Sequence, residues 1–145
     1  MTPQDRAERS AAAMWASDRA SKFLGLSLVA VGPGTASMTM EVQDQHLNGH
    51  DICHGGFIAT LADSAFAYAC NSHNQTTVAQ SFAVTFVSPG QPGETLTATA
   101  QETVKNGRSG VYDITVTGQD GRKVALFRGH SRTITGQNFE ETTTL

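Results

Sequence analysis

The sequence predicts an α+β fold in which a curved antiparallel sheet wraps around one long central helix. The first observation is the segment Phe57–Cys70, where nearly every residue is apolar. A helix without a polar stripe is one that other structure encloses. The second observation is the series of alternating segments after it, which is typical of strands joined by tight turns. With 145 residues, 39% of them hydrophobic, the chain is expected to form a single domain spanning 1–145.

The first 24 residues predict a peripheral N-terminal helix. Apolar residues recur there among charges at roughly helical spacing, and the pattern stops at Gly25. The next segment, Leu26–Val42, alternates on both sides of the turn sequence Gly32-Pro33-Gly34, which favours a two-stranded hairpin. Three apolar residues of its second strand share one face: Met38, Met40 and Val42.

Four more strands are predicted after the central helix, at Val78–Val87, Thr95–Val104, Val111–Thr117 and Lys123–Ile134. On the first of them, one face carries Phe82, Val84 and Phe86. The connections between the last three of these strands contain Asn106-Gly107 and Asp120-Gly121, which predict type I′ turns with positive φ. An open sheet leaves edge strands, and pairing with a second copy would cover them. The polar residues 137–145 are expected to be frayed.

Charge and composition exclude several classes of function. A net charge of −3 without any block of like charges offers no surface for nucleic acid. No apolar run approaches the roughly 18 residues that span a bilayer, and the N-terminus lacks an export signal, so we expect a cytoplasmic protein with no membrane partner. Cys53 and Cys70 are then expected to be free thiols. The low charged fraction, 16%, favours self-association.

A polar, glycine-rich segment, Leu47–Gly56, leads directly into the central helix. The first N–H groups of a helix have no intrahelical acceptor, and the helix dipole makes that end partly positive. The N–H of Gly55 or Gly56 is therefore a candidate donor to the oxygen of a carbonyl group. The alternative is a glycine-rich helix entry with no further role.

Asp63 is the second candidate, because it lies in the middle of an otherwise apolar helix. A buried, unpaired carboxylate is costly, and burial raises its pKa. Either it serves chemistry, or it caps a neighbouring backbone group or accepts a hydrogen bond from a tyrosine. Gly55 and Asp63 are eight residues apart, about 12 Å along one helix. Since a reacting atom must lie roughly 3 Å from both groups, cooperation requires Gly55 of one chain to face Asp63 of another.

Three histidines, His46, His50 and His54, have the four-residue spacing of metal ligands on a helix. The glycines among and after them argue against a continuous helix, so we predict neither a metal nor another cofactor. The adjacent pair Cys53-His54 is a weak candidate for nucleophilic catalysis.

Basic residues near the C-terminus are candidates for binding the phosphate groups of a ligand. Arg128 shares a strand face with His130 and Arg132, and Arg108 follows the Asn106-Gly107 turn. The alternative is a solvated face without a ligand.

Several motifs together resemble the PaaI family of hotdog-fold thioesterases. These are Leu47-Asn48-Gly49-His50 with Cys53-His54-Gly55-Gly56, then residues 61–72, 93–100, 110–114 and 124–129. The resemblance implies a hotdog fold, usually a tetramer made of two dimers, which hydrolyses aryl-acyl-CoA thioesters such as phenylacetyl-CoA in phenylacetic acid degradation. It places the catalytic acid on Asp63, the carbonyl-polarising N–H on Gly55 and supporting polar groups on Asn48 and His54.

Two other functions fit parts of the pattern. A hotdog hydratase or dehydratase would use an acid and a base at the acyl chain, and His54 is compatible with it. A non-catalytic acyl-CoA-binding module would not need Asp63. For the thioesterase, residue types leave open whether Asp63 attacks the carbonyl or deprotonates a water.

Overall fold

The structure, a computed structural model, describes residues 1–142. These described residues form three α-helices, six strands and one 3₁₀ turn at Asp44–His46. The helices are α1 (Pro3–Ser17), α2 (Arg19–Leu24) and α3 (Gly55–Cys70), and the strands are β1 (Leu26–Gly32), β2 (Thr35–Glu41), β3 (Thr77–Phe86), β4 (Thr95–Asn106), β5 (Ser109–Thr117) and β6 (Lys123–Thr133). None of these helices is long and apolar enough to cross a membrane.

The six strands form one antiparallel sheet in the order β1-β2-β4-β5-β6-β3, and α3 packs across its inner face. Alternate residues of β2, β4 and β5 are buried beneath α3. The Phe66 ring of α3 lies against Tyr112 and Phe127. Gly129 lies below that ring, where a Cβ atom would come within 2.8 Å of it. The predicted α+β fold with one central helix is confirmed.

The N-terminal segment forms two helices rather than one. Asp18 interrupts the predicted helix, and its carboxylate accepts hydrogen bonds from the Ser21 N–H and hydroxyl at 3.0 and 2.7 Å. An Asp side chain that can cap the next turn competes with continuation of a helix. Tyr68 of α3 also donates to Asp18, at 2.9 Å, so the break ties both short helices to the central one.

Both predicted type I′ turns are wrong in detail. The first loop is Gly107-Arg108, because Asn106 still pairs with Ser109, and positive φ occurs at Gly107 but not at Arg108. That pattern is typical of a type II′ turn. In the second, the Gly121 N–H donates to the Gly118 carbonyl, and Gly121 has positive φ while Asp120 does not. A turn whose last residue is a glycine in the left-handed conformation is typical of hairpin loops that are longer than the two-residue type I′ loop.

The tail is attached to the fold over much of its predicted frayed length. Asn74, with φ of 59°, accepts from the N–H groups of Asn138 and Phe139 and donates to the Phe139 carbonyl. Arg6 of α1 pairs with Glu141 through two nitrogens. The prediction of fraying from 137 is therefore wrong as far as Glu141. Residues 143–145 lie outside the described part of the chain.

Candidate active site

The loop before α3 is closed by Asn48. Its N–H donates to the Ile52 carbonyl at 2.8 Å, and its Oδ1 accepts from the His50 N–H at 2.9 Å. The short bridge Leu47–Cys53 and the left-handed Asp51, with φ of 57°, complete this turn. Within residues 1–142, the Nδ2 group of Asn48 has no hydrogen-bond acceptor, so it remains available to a ligand.

His54 caps the N-terminus of α3. Its Nδ1 accepts the Gly56 N–H at 2.9 Å, and its carbonyl accepts from Phe57 and Ile58. With Nδ1 as acceptor, a neutral imidazole carries its proton on Nε2. The Gly56 N–H is therefore occupied, and the two predicted donors reduce to Gly55, whose N–H has no acceptor among the described residues.

His46 is a buried residue whose role the sequence pattern did not indicate. Its Nδ1 accepts the Gln43 N–H at 3.0 Å, Nε2 lies 3.1 Å from the Leu24 carbonyl, and its own carbonyl accepts the His54 N–H at 2.8 Å. Both ring nitrogens are thus engaged, and the residue holds the loop against the end of α2. Among the described residues, no three His, Cys, Asp or Glu side chains are grouped as metal ligands.

The central helix is open along one stripe, contrary to the expectation that other structure encloses it. Gly56, Thr60, Asp63 and Ala67 recur at intervals of four, three and four residues and are at least partly exposed. The Thr60 hydroxyl donates to the Gly56 carbonyl at 2.8 Å, so it is satisfied within the helix. Asp63 is left as the unpaired polar group of this stripe.

Asp63 is half-buried, and no described donor reaches its carboxylate. The interpretation that it bonds a tyrosine is wrong within one chain. Tyr68 donates to Asp18, and Tyr112 donates to Glu102 at 2.7 Å. Desolvation raises the pKa of Asp63 above its ordinary value. An unpaired carboxylate with a raised pKa, on an open helix face, has the properties of a reactive group.

The raised pKa predicts that Asp63→Asn stabilises the protein at pH 7. The folded chain holds the Asp63 proton at pH values where the unfolded chain has released it. The stabilisation of the folded chain by the bound proton is fully present at pH values below the Asp63 pKa of the unfolded chain. It is lost as the pH rises through the Asp63 pKa of the folded chain. The variant should therefore have the higher melting temperature at pH 7, and the difference should vanish under acid conditions. Thermal melts between pH 3 and 8 measure this, and equal melting temperatures at pH 7 would contradict it.

Both cysteines are buried free thiols, as predicted. Desolvation raises the pKa of Cys53 to about 11 and that of Cys70 to about 12. A thiol that stays protonated is a poor nucleophile, so the geometry disfavours a Cys53-His54 pair.

The two arginines predicted to bind phosphate lie away from Gly55 of the same chain. Arg128 forms a bidentate pair with Asp113 at 2.7 and 2.8 Å. It projects from the outer sheet face, since its neighbours Phe127 and Gly129 contact Phe66 on the inner face. The Arg108 carbonyl accepts from Thr133, which pairs with Thr77 at the start of β3.

Comparison with known proteins gives consistent results. The profile of the thioesterase superfamily matches residues 50–125. The acyl-coenzyme A thioesterase PaaI of Escherichia coli (strain K12) is 47% identical over 131 residues, which cover 90% of this chain and 94% of the relative. The structure of the E. coli PaaI protein from the phenylacetic acid degradation operon has a TM-score of 0.92 at 45% identity, covering 94% of this chain and 99% of that one. A mutant structure of the phenylacetic acid degradation protein PaaI from Thermus thermophilus has a TM-score of 0.78 at 36% identity, covering 81% of this chain and 100% of that one.

Proposed function

Because the chain belongs to the thioesterase superfamily, we propose that it is a cytoplasmic acyl-CoA thioesterase that hydrolyses aryl-acyl-CoA thioesters to the free acid and coenzyme A. The resemblance to the PaaI family and the hotdog fold predicted from it are confirmed by these matches. The substrate class is phenylacetyl-CoA or a hydroxylated form, in phenylacetic acid degradation. The observation that carries the proposal is the combination of a free Gly55 N–H at the start of α3 with an unpaired carboxylate, Asp63, on the open face of that helix.

The reaction begins with the thioester carbonyl oxygen on the Gly55 N–H. That donor, aligned with the helix dipole, stabilises the negative charge that develops on the oxygen. The Asp63 carboxylate then either attacks the carbonyl carbon or takes a proton from an attacking water. Collapse of the tetrahedral intermediate breaks the carbon–sulfur bond and releases the coenzyme A thiolate. On the first route this leaves a mixed anhydride on Asp63, which a water molecule then hydrolyses to the free acid and the Asp63 carboxylate. No metal or organic cofactor is required, because a thioester is already an activated acyl group.

The polar neighbours of Gly55 assist in different ways. We assign the orientation of the attacking group to the Nδ2 group of Asn48, because its Oδ1 is taken by the His50 N–H while Nδ2 has no acceptor in the described chain. His54 holds the first turn through Nδ1, and its Nε2–H is left to donate to the leaving sulfur. Gly56 contributes its bonded N–H to the shape of that turn and lets substrate approach the backbone.

A complete site requires two copies of the chain. Gly55 and Asp63 lie eight residues apart on α3, about 12 Å along its axis. β3 is an edge strand that contacts the start of α3 through Phe86 and Gly55, and its Val78, Phe82 and Phe86 are half-exposed. An edge strand with exposed apolar side chains pairs readily with a second chain. We expect a dimer formed through β3, and a tetramer made of two such dimers.

The same pairing gives the basic residues a role. Arg108 lies at the Thr77 end of β3 and Gly55 at the Phe86 end, about 30 Å away in one chain. If two β3 strands pair antiparallel, Arg108 of the second copy comes to the Gly55 end of the first. Arg108 is then the better candidate for a coenzyme A phosphate than Arg128, which lies on the outer face of the sheet, paired with Asp113.

The experiment that tests the function is a substrate panel. Release of free thiol is measured for phenylacetyl-, hydroxyphenylacetyl-, benzoyl-, hexanoyl- and palmitoyl-CoA, with a chelator present throughout. We expect the highest kcat/KM for the phenylacetyl forms and no effect of the chelator. Hydration of an enoyl-CoA without thiol release would favour the hydratase, and tight binding without any reaction would favour the acyl-CoA-binding module. Activity that a divalent metal restores would refute the metal-free mechanism.

A further inference from the structure

Phe86, the last residue of β3, packs directly on the first residue of α3. A Cβ atom placed on Gly55 would lie 2.9 Å from Cζ of the Phe86 ring and 3.2 and 3.3 Å from the two Cε atoms. The tip of the ring therefore points at Gly55. Half of the Phe86 surface is nevertheless exposed in the single chain.

Phe82 differs from Phe86 although it lies on the same strand and has a similar exposure. Its ring stacks on Phe127, with centroids 4.6 Å apart and planes inclined by 25°. It is four residues, or about 13 Å, from Phe86. Phe82 and Phe86 thus have the same side chain and lie on the same face of β3, but they differ in their distance from Gly55.

The position of the Phe86 ring places it beside any acyl group that uses the Gly55 N–H. In the first helical turn, both the N–H and the Cα–Cβ direction lean toward the helix N-terminus. A carbonyl oxygen hydrogen-bonded at about 2.9 Å puts its substituents within about 5 Å of the Gly55 nitrogen. A ring in van der Waals contact with Gly55 is within reach of those substituents.

We propose that Phe86 is a specificity-determining residue, whose ring forms an aromatic wall beside Gly55 that favours aryl over aliphatic acyl groups. The inference rests on the proposed function. Aromatic rings whose centroids lie 4.5–7 Å apart attract each other beyond simple burial of area, whereas an alkyl chain gains only the burial. The glycine at position 55 is what allows the ring to approach so closely.

The test compares Phe86→Leu with its matched control Phe82→Leu. Leucine keeps an apolar side chain and removes the ring. We expect Phe86→Leu to lower the ratio of kcat/KM for phenylacetyl-CoA over hexanoyl-CoA by about three- to tenfold. Phe82→Leu should leave the ratio unchanged. Should Phe86→Leu fail to fold, Phe86→Met is the second non-aromatic replacement.

A binding measurement separates this proposal from the proposed function. The dissociation constants of the same two thioesters are measured by calorimetry in an Asp63→Asn background, with and without Phe86→Leu. If the wild type hydrolyses neither thioester but Phe86→Leu lowers the ratio of the dissociation constant of hexanoyl-CoA to that of phenylacetyl-CoA, the wall is supported and the thioesterase is not. An unchanged ratio in a folded variant, an equal fall for Phe82→Leu, or no binding of either thioester would overturn the wall.

Discussion

Replacing Asp63 by Asn should lower turnover by about two or more orders of magnitude while substrate binding changes little. The amide has nearly the shape of the carboxylate but neither attacks a carbonyl nor accepts a proton from water. The side chain has no hydrogen bond to lose within the described chain, so the loss should be chemical rather than structural. Steady-state thiol release gives kcat, and calorimetry with an intact thioester gives the affinity.

The control for Asp63→Asn is the same replacement at an exposed turn. Asp120 lies between β5 and β6 and pairs with Arg122, so Asp120→Asn should keep near-normal turnover. A folded Asp63→Asn protein that retained most of its turnover would return Asp63 to a structural role.

The fold was predictable because its patterns are long and consistent. The apolar run that ends at Cys70 predicts a helix, and α3 begins two residues before the predicted start. The alternation over 26–42 is equally clear, and Met38, Met40 and Val42 are all buried. Such patterns record which side of an element faces the core, and they tolerate small errors in the ends.

The details that were missed depend on single side chains. Asp18 ends α1 because its carboxylate finds the Ser21 N–H, and Asn74 fixes the tail through Asn138 and Phe139. The register of β4 with β5 moved the turn by one residue, from Asn106-Gly107 to Gly107-Arg108. Each outcome is a competition between local hydrogen bonds that hydrophobic periodicity does not encode.

The candidate site was predictable in its residue types but not in its contacts. A carboxylate in an apolar helix and glycines at a helix start stand out in any sequence. That His54 would occupy the Gly56 N–H, and so leave Gly55 as the free donor, depends on the rotamer of one cap residue. The Phe86–Gly55 contact joins residues 31 positions apart and has no local signal.

The shared site predicts that two inactive variants restore activity when mixed. Asp63→Asn removes the carboxylate, and Gly55→Pro removes the N–H. Proline suits the first helical position, and His54, with ψ of 131°, has the extended conformation that a residue before proline needs. Each homodimer should be nearly inactive. After mixing through reversible unfolding, about half of the dimers are hybrids. One site of each hybrid carries both lesions and the other carries none, so activity should reach about a quarter of the wild-type value.

The control for Gly55→Pro is Gly55→Ala, because either residue brings a Cβ atom against the tip of the Phe86 ring. Alanine keeps the N–H, so it should retain far more turnover than proline. If alanine were equally inactive, crowding by Phe86 rather than loss of the donor would explain the proline variant.

The mixing experiment is measured as thiol release plotted against the fraction of hybrid dimers, and native mass spectrometry gives that fraction. If both groups of a site came from one chain, every site would still carry a lesion, and a flat response from folded hybrids would refute the shared site.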